Sequence, residues 1–170
     1  MLIVKFIGGI LVIMCGTMCG VYVSRIAVKR VKFWEEYLFF LTSTKVRIAY
    51  AAVPAAELLI GEDIRPMLCP ILRGAAEQLK AGIPFDRAWR QAFERKNTGL
   101  MLNRCDREKI NAFGNGFGTG DVDGEVQKLE LHIGLIRDHL DKLKADLDAK
   151  RRISRIVGMF VGVVVTVLII

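Results

Sequence analysis

Charge vanishes from this chain in two places. Residues Phe6 to Val23 form one uncharged apolar run and Ile156 to Ile170 another, while every acidic residue falls between Arg25 and Arg155. The first run is 18 residues long, near the lower limit for a bilayer-spanning helix, which takes about 17 to 25 residues at about 1.5 Å each. Met1 to Val4 extend it past Lys5, which can snorkel. No A-x-A-like cleavage site follows the run, so an uncleaved anchor is predicted rather than a signal peptide. The second run is 15 residues, or 18 counted from Ile153. The pattern thus predicts a membrane helix over 1–24, a polar domain over 25–153 and a second membrane helix over 154–170.

Within the polar domain no alternation of period two is sustained, and Gly and Pro recur at helix-like intervals. The reading is all-α: a cytoplasmic helical bundle whose long antiparallel helix pair continues into the two membrane helices. In the first helix Val31, Trp34, Leu38, Leu41, Lys45, Ile48 and Ala52 recur in steps of three and four, and Pro54 ends it. A short helix precedes Gly61. Pro66 and Pro70 open a helix that carries Leu68, Leu72, Ala76 and Leu79 and stops at Gly82. Pro84 restarts the chain, and Phe85, Ala88, Trp89, Ala92 and Phe93 share one face of the next helix. Another begins near Asn103 and turns Ile110 and Phe113 inward. Five glycines make 114–124 a loop by composition. The last helix then carries Val126, Leu129, Ile133, Ile136, Leu140, Leu143 and Leu147 on one seam.

Both membrane runs are flanked by cations: Arg25, Lys29, Arg30 and Lys32 after the first, and Lys150, Arg151, Arg152 and Arg155 before the second. The positive-inside rule puts both clusters on the cytoplasmic face, beside anionic lipid headgroups. The first and last soluble helices then leave the membrane side by side, and their seams can zip together; either seam could instead pair between copies, giving a homo-oligomer. Antiparallel counting sets Lys45 opposite Asp138. Setting the eight flanking cations aside leaves 17 basic residues against 18 acidic ones, so the net charge of +7 gives no reason to invoke nucleic acid. In the membrane runs, Gly16 with Gly20 and Gly158 with Gly162 repeat the G-x-x-x-G spacing that lets membrane helices approach closely.

Chemistry is sparse. The glycine-rich stretch lacks the Gly-Lys-Ser/Thr ending of a phosphate loop and follows a helix rather than a strand. His132 and His139 stand about 10 Å apart on one helix, too far to share a metal, and are read as solvated. Cys15, Cys19, Cys69 and Cys105 form no C-x-x-C pair and suit a reducing compartment. No catalytic constellation, cofactor site or metal site is read, and no enzymatic activity. Thr119 to Glu130 nearly follows the twelve-residue calcium loop, with Asp121, Asp123, Gly124 and Glu130 in register but Thr119 where an aspartate belongs. The plainer role is that Asp121 or Asp123 caps the last helix.

The Tyr50-x-x-x-Pro54 turn, the segment from Leu79-x-x-Gly82 to Ala88-Trp89, the Phe113-Gly114-x-x-Phe117-Gly118-x-x-Asp121 loop and the terminal apolar run resemble the stage III sporulation protein AB family, in order and over nearly the whole chain. The departures are Phe117, usually leucine, and Glu125, often glutamine. That family is similar to the inner-membrane platform domains of type II secretion and type IV pilus machines. The resemblance implies a non-enzymatic platform in the mother-cell membrane facing the forespore. There it would belong to a secretion-like channel complex, contacting a secretion-type sporulation ATPase and other channel membrane proteins. It also implies a contact region containing Phe113, Gly114, Phe117, Gly118 and Asp121, although packing within the bundle is the plainer use of the two phenylalanines. The alternative from the residues alone is a calcium- or lipid-responsive membrane sensor.

Overall fold

The computed structural model describes residues 25–50, 57–60, 65–95, 102–117, 121–150 and 153 in full, with helical backbone alone at 2–24, 51, 55–56, 96, 151–152 and 154–169. Among the described residues there are six helices: α1 (Leu2–Ala51), α2 (Ala55–Leu58), α3 (Cys69–Lys80), α4 (Phe85–Lys96), α5 (Arg104–Gly116) and α6 (Val122–Ile169). No strand occurs among the described residues. Two compact units result, one of Arg30–Asp141 and one of Met1–Lys29 with Lys142–Ile170. Among the described residues no helix is long and apolar enough to cross a membrane. The runs 6–23 and 156–170, with Gly16, Gly20, Gly158 and Gly162, lie outside the described side chains, as do Arg151, Arg152 and Arg155.

The unit of Arg30–Asp141 follows from local signals. Pro70 sits in the first turn of α3, where its missing N–H costs nothing, and the helix stops before Gly82, whose φ of 83° is costly for other residues. Ile71, Leu72, Ala75 and Ala76 of α3 are buried, and α3 packs on α4 and α4 on α5. Ala88, Trp89, Ala92 and Phe93 are the buried stripe of α4, as their spacing requires.

Against these short helices lies α1, whose buried face is wider than its sequence seam. Phe33, Trp34, Tyr37, Phe40, Leu41, Thr44 and Ile48 are all buried, while Leu38 is only half-buried. The extra width has a cause: α1 meets two neighbours. Phe33 lies edge-on to Phe93 and Phe40 stacks on Trp89, while Trp34 meets His139 and Tyr37 meets His132 of α6. These pairings make α1 and α6 antiparallel within this unit. Leu129, Ile133, Ile136 and Leu140 form the buried seam of α6, at the predicted spacing.

Three sequence expectations are corrected. Lys45 pairs with Glu130 rather than Asp138, because the aromatic contacts at Trp34 and Tyr37 fix the register about two turns away from the counted one. His132 and His139 are not solvated, since both turn toward the aromatic face of α1. The glycine-rich loop is also shorter than 114–124: α5 continues through Gly116 and α6 begins at Val122.

Candidate partner-contact site

The corner between α5 and α6 begins with Gly114, a buried helical residue facing Trp89 of α4. A Cβ there would lie 2.4 Å from Trp89 Cδ1, so only glycine lets the indole lie against the α5 backbone. Trp89 uses that approach to donate its Nε1–H to the Ile110 carbonyl at 2.9 Å, within the core. Phe113 and Phe117 pack with centroids 5.0 Å apart, and Phe85 and Trp89 complete the ring cluster at 4.8 Å and 4.9 Å respectively. Rings at such separations add about 0.5–1.5 kcal/mol per pair beyond the area they bury.

Of the five residues expected in the contact region, Phe113, Gly114 and Phe117 therefore belong to the core, with the two phenylalanines 6% and 8% exposed. Their packing fixes the corner rather than offering side chains to a partner. Asp121 is exposed and caps α6, its Oδ1 accepting from the Gly124 N–H at 3.3 Å and its carbonyl from the Glu125 N–H at 3.0 Å. Gly118 lies outside the described residues. Asn115 and Val122 are exposed at the same corner, and Arg90 donates to the Asn115 side-chain oxygen. Helical backbone from Val122 onward is incompatible with a twelve-residue calcium loop over 119–130, because nine of those positions lie within α6.

A cleft of about 140 Å³ opens between α5 and α6, lined by Phe113, Gly116, Phe117, Glu125, Lys128 and His132 among others. Burial, and then the charge of Lys109, lower the His132 pKa from 6.5 to about 4, so its ring is uncharged at neutral pH. Its Nε2 lies 3.4 Å from the Tyr37 hydroxyl, whose own pKa is pushed well up by complete burial.

At the other end of α5, sequence reasoning missed a polar junction. Asp106, fully buried, accepts from Arg30 Nε at 2.7 Å and Nη2 at 2.8 Å, from the Asn103 N–H at 3.0 Å and from His139 Nε2 at 3.0 Å. Each carboxylate oxygen thereby receives two bonds. Burial pushes the Asp106 pKa up, but the Arg30 bonds, the Asn103 N–H, the Arg30 charge and the His139 bond outweigh it, and the net shift is downward. The Asn103 side chain accepts from the Asp106 N–H in return, closing a capping box at the start of α5. One carboxylate thus ties α1, α5 and α6 together. Arg30, expected among the lipid-facing cations, is engaged here instead; Arg25, Lys29, Lys32 and Lys150 are exposed. The signal was half visible, since Asn103-x-x-Asp106 reads as a cap while nothing in the sequence names the partners of its carboxylate.

The family model for stage III sporulation protein AB matches residues 5–170. The chain belongs to that family. Membership ties it to sporulation, as the spacing of Tyr50, Pro54, Trp89 and the Phe113 loop had suggested. The fold agrees with a solved structure of a stage III sporulation protein AB, at TM-score 0.60 and 21% identity over 74% of this chain and 98% of that one. No curated protein matches the chain.

Proposed function

We propose that this member of the stage III sporulation protein AB family is a non-enzymatic membrane platform in the secretion-like channel complex between mother cell and forespore. In this reading the runs 6–23 and 156–170 anchor it in the mother-cell membrane, the helical domain is cytoplasmic, and the α5–α6 corner contacts a secretion-type ATPase. The observation that carries the contact is the build of that corner. Phe85, Trp89, Phe113 and Phe117 pack α5 firmly on α4, Asn115 is exposed on α5 and Asp121 and Val122 at the start of α6, and preorganised surfaces lose less entropy on binding. Family membership supports the setting in sporulation.

Because the phenylalanines are core residues, the informative substitutions are at the exposed rim. Val122→Glu places a carboxylate in the first turn of α6, where the helix dipole favours it, and Asn115→Lys changes charge without touching those rings. In a pull-down of the detergent-extracted protein from sporulating cells, the wild type is expected to recover a secretion-type ATPase and other channel membrane proteins. The double variant, with an unchanged melting curve, is expected to lose the ATPase. Wild-type protein that comes out alone would overturn the platform reading, and a folded variant that keeps the ATPase would move the contact away from this corner.

A further inference from the structure

Two lines of outward-facing side chains on the bundle match each other. On α6, Leu131 and Leu135 are 73% and 65% exposed, turned away from the buried Leu129, Ile133 and Ile136. Asp138 follows Leu131 by seven residues, nearly two full turns, and shares its face. On α1, Phe39 and Val46 are 40% and 52% exposed, opposite the face that buries Tyr37, Leu41 and Ile48. Lys32 precedes Phe39 by the same seven residues, so Lys32, Phe39 and Val46 run in one line. Lys32 and Asp138 are exposed, and neither meets an opposite charge among the described residues. Each line thus sets one open charge two turns from an open apolar side chain, and the charges are opposite.

We infer that these lines are the two halves of a head-to-tail contact between copies of this chain, α6 of one copy lying along α1 of the next. The inference rests on the anchoring proposed above: copies held in one membrane share an orientation, so α6 of one is antiparallel to α1 of its neighbour. Rotation about an axis along the helix pair leaves every residue at its own level. The register inside one copy is then also the register between copies, and it is set by Tyr37 facing His132 and Trp34 facing His139. Counted in opposite directions from these two pairs, Phe39 comes level with 130–134 of α6 and Lys32 with 137–141. Those spans hold Leu131 and Asp138. Apolar therefore meets apolar, and cation meets anion, without any shift along the axis. Glu35 and Lys128, beside the lines, each have interactions within their own chain, Arg65 already lies over the Phe39 ring, and Arg137 points about 100° away from Asp138. A patch of four apolar side chains falls short of the about 1,000 Å² of a stable interface, so the contact forms where a shared membrane concentrates the copies. Because it joins two different faces, a pair of copies still has one of each open, and further copies add.

The test uses the full chain in membranes, with its four cysteines changed to alanine and two differently tagged versions expressed together. One carries Phe39→Cys and the other Leu131→Cys, and oxidation is expected to join the two versions while neither cross-links to itself. A single chain carrying both substitutions is expected to give a ladder through trimer and beyond. Lys32→Glu and Asp138→Lys are each expected to lower the cross-link yield about threefold or more. The two together are expected to restore it, which a folding defect would not do. Cross-linking of Leu131→Cys to itself at equal yield, a ladder that stops at dimer, or no cross-link at all overturns the proposal, as does a yield that ignores both charge reversals. Washing the same membranes with alkaline carbonate separates this reading from the anchoring it rests on. A chain retained but never cross-linked keeps its anchors and loses the contact; a chain washed off yet still cross-linked does the reverse.

Discussion

Replacing Gly114 by alanine would set a methyl carbon 2.4 Å from Trp89 Cδ1, and Trp89 has nowhere to go: it is 1% exposed and bonded to the Ile110 carbonyl. Overpacking of this kind costs about 1–3 kcal/mol, so Gly114→Ala is expected to shift the urea midpoint downward by about 2 kcal/mol of stability. Gly116→Ala, where a Cβ would meet nothing within 4 Å, is the matched control and should change stability little. The contrast explains what the sequence withheld. Five glycines in eleven residues read as loop on local grounds, yet Gly114 is helical for a tertiary reason, the indole of a different helix. The two histidines were misread likewise, because polarity argues for solvent whereas their positions beside the Leu129–Leu140 seam argue for the α1 interface. For His132 this has a pH consequence. The unfolded chain binds a proton near pH 6.5 and the folded one only near 4. Stability from its neutral burial is full above about pH 6.5 and is lost as pH falls toward 4. Urea unfolding at pH 5 should show a loss on the order of 1 kcal/mol relative to pH 7, and His132→Gln should flatten that slope.

Among elements, α5 is the short helix that joins the two long ones. Asp106→Ala strands the Arg30 guanidinium and removes the capping box together, and breaking such a pair costs about 3 kcal/mol. Since Asp106 holds its proton less tightly when folded, its contribution is present above the ordinary carboxylate range and fades as pH falls through its lowered pKa, a slope that the alanine variant should lack. The helix register can be tested separately. A double-mutant cycle on Lys45 and Glu130 should give a coupling of about 0.5 kcal/mol, and one on Lys45 and Asp138 none. Helix existence, the Pro-led starts and the α6 seam were legible because each is written in local spacing. The register was not, since it depends on which aromatic rings meet across the interface. The breadth of the buried α1 face was hidden for a related reason: a seam of period 3.5 describes one neighbour, and α1 has two.

At the scale of the molecule, the proposed anchoring fixes which side of the membrane the helical domain occupies, and Cys105 reports it. This thiol is exposed on α5. A membrane-impermeant maleimide is expected to label it in inside-out vesicles and not in intact cells; labelling of intact cells would invert the proposed topology.

The aromatic face of α1 carries one more consequence, which concerns the order in which the chain is made. Trp34 and Tyr37 emerge from the ribosome early, whereas His139 and His132, which complete their cover, follow about a hundred residues later. At synthesis rates of about 5–20 residues per second this leaves the face open for some seconds, shielded only as Trp89, Phe93 and Phe113 arrive in turn. A nascent chain stalled before α6 would present an unfinished aromatic surface to its neighbours, making the last helix the step that ends its exposure to aggregation.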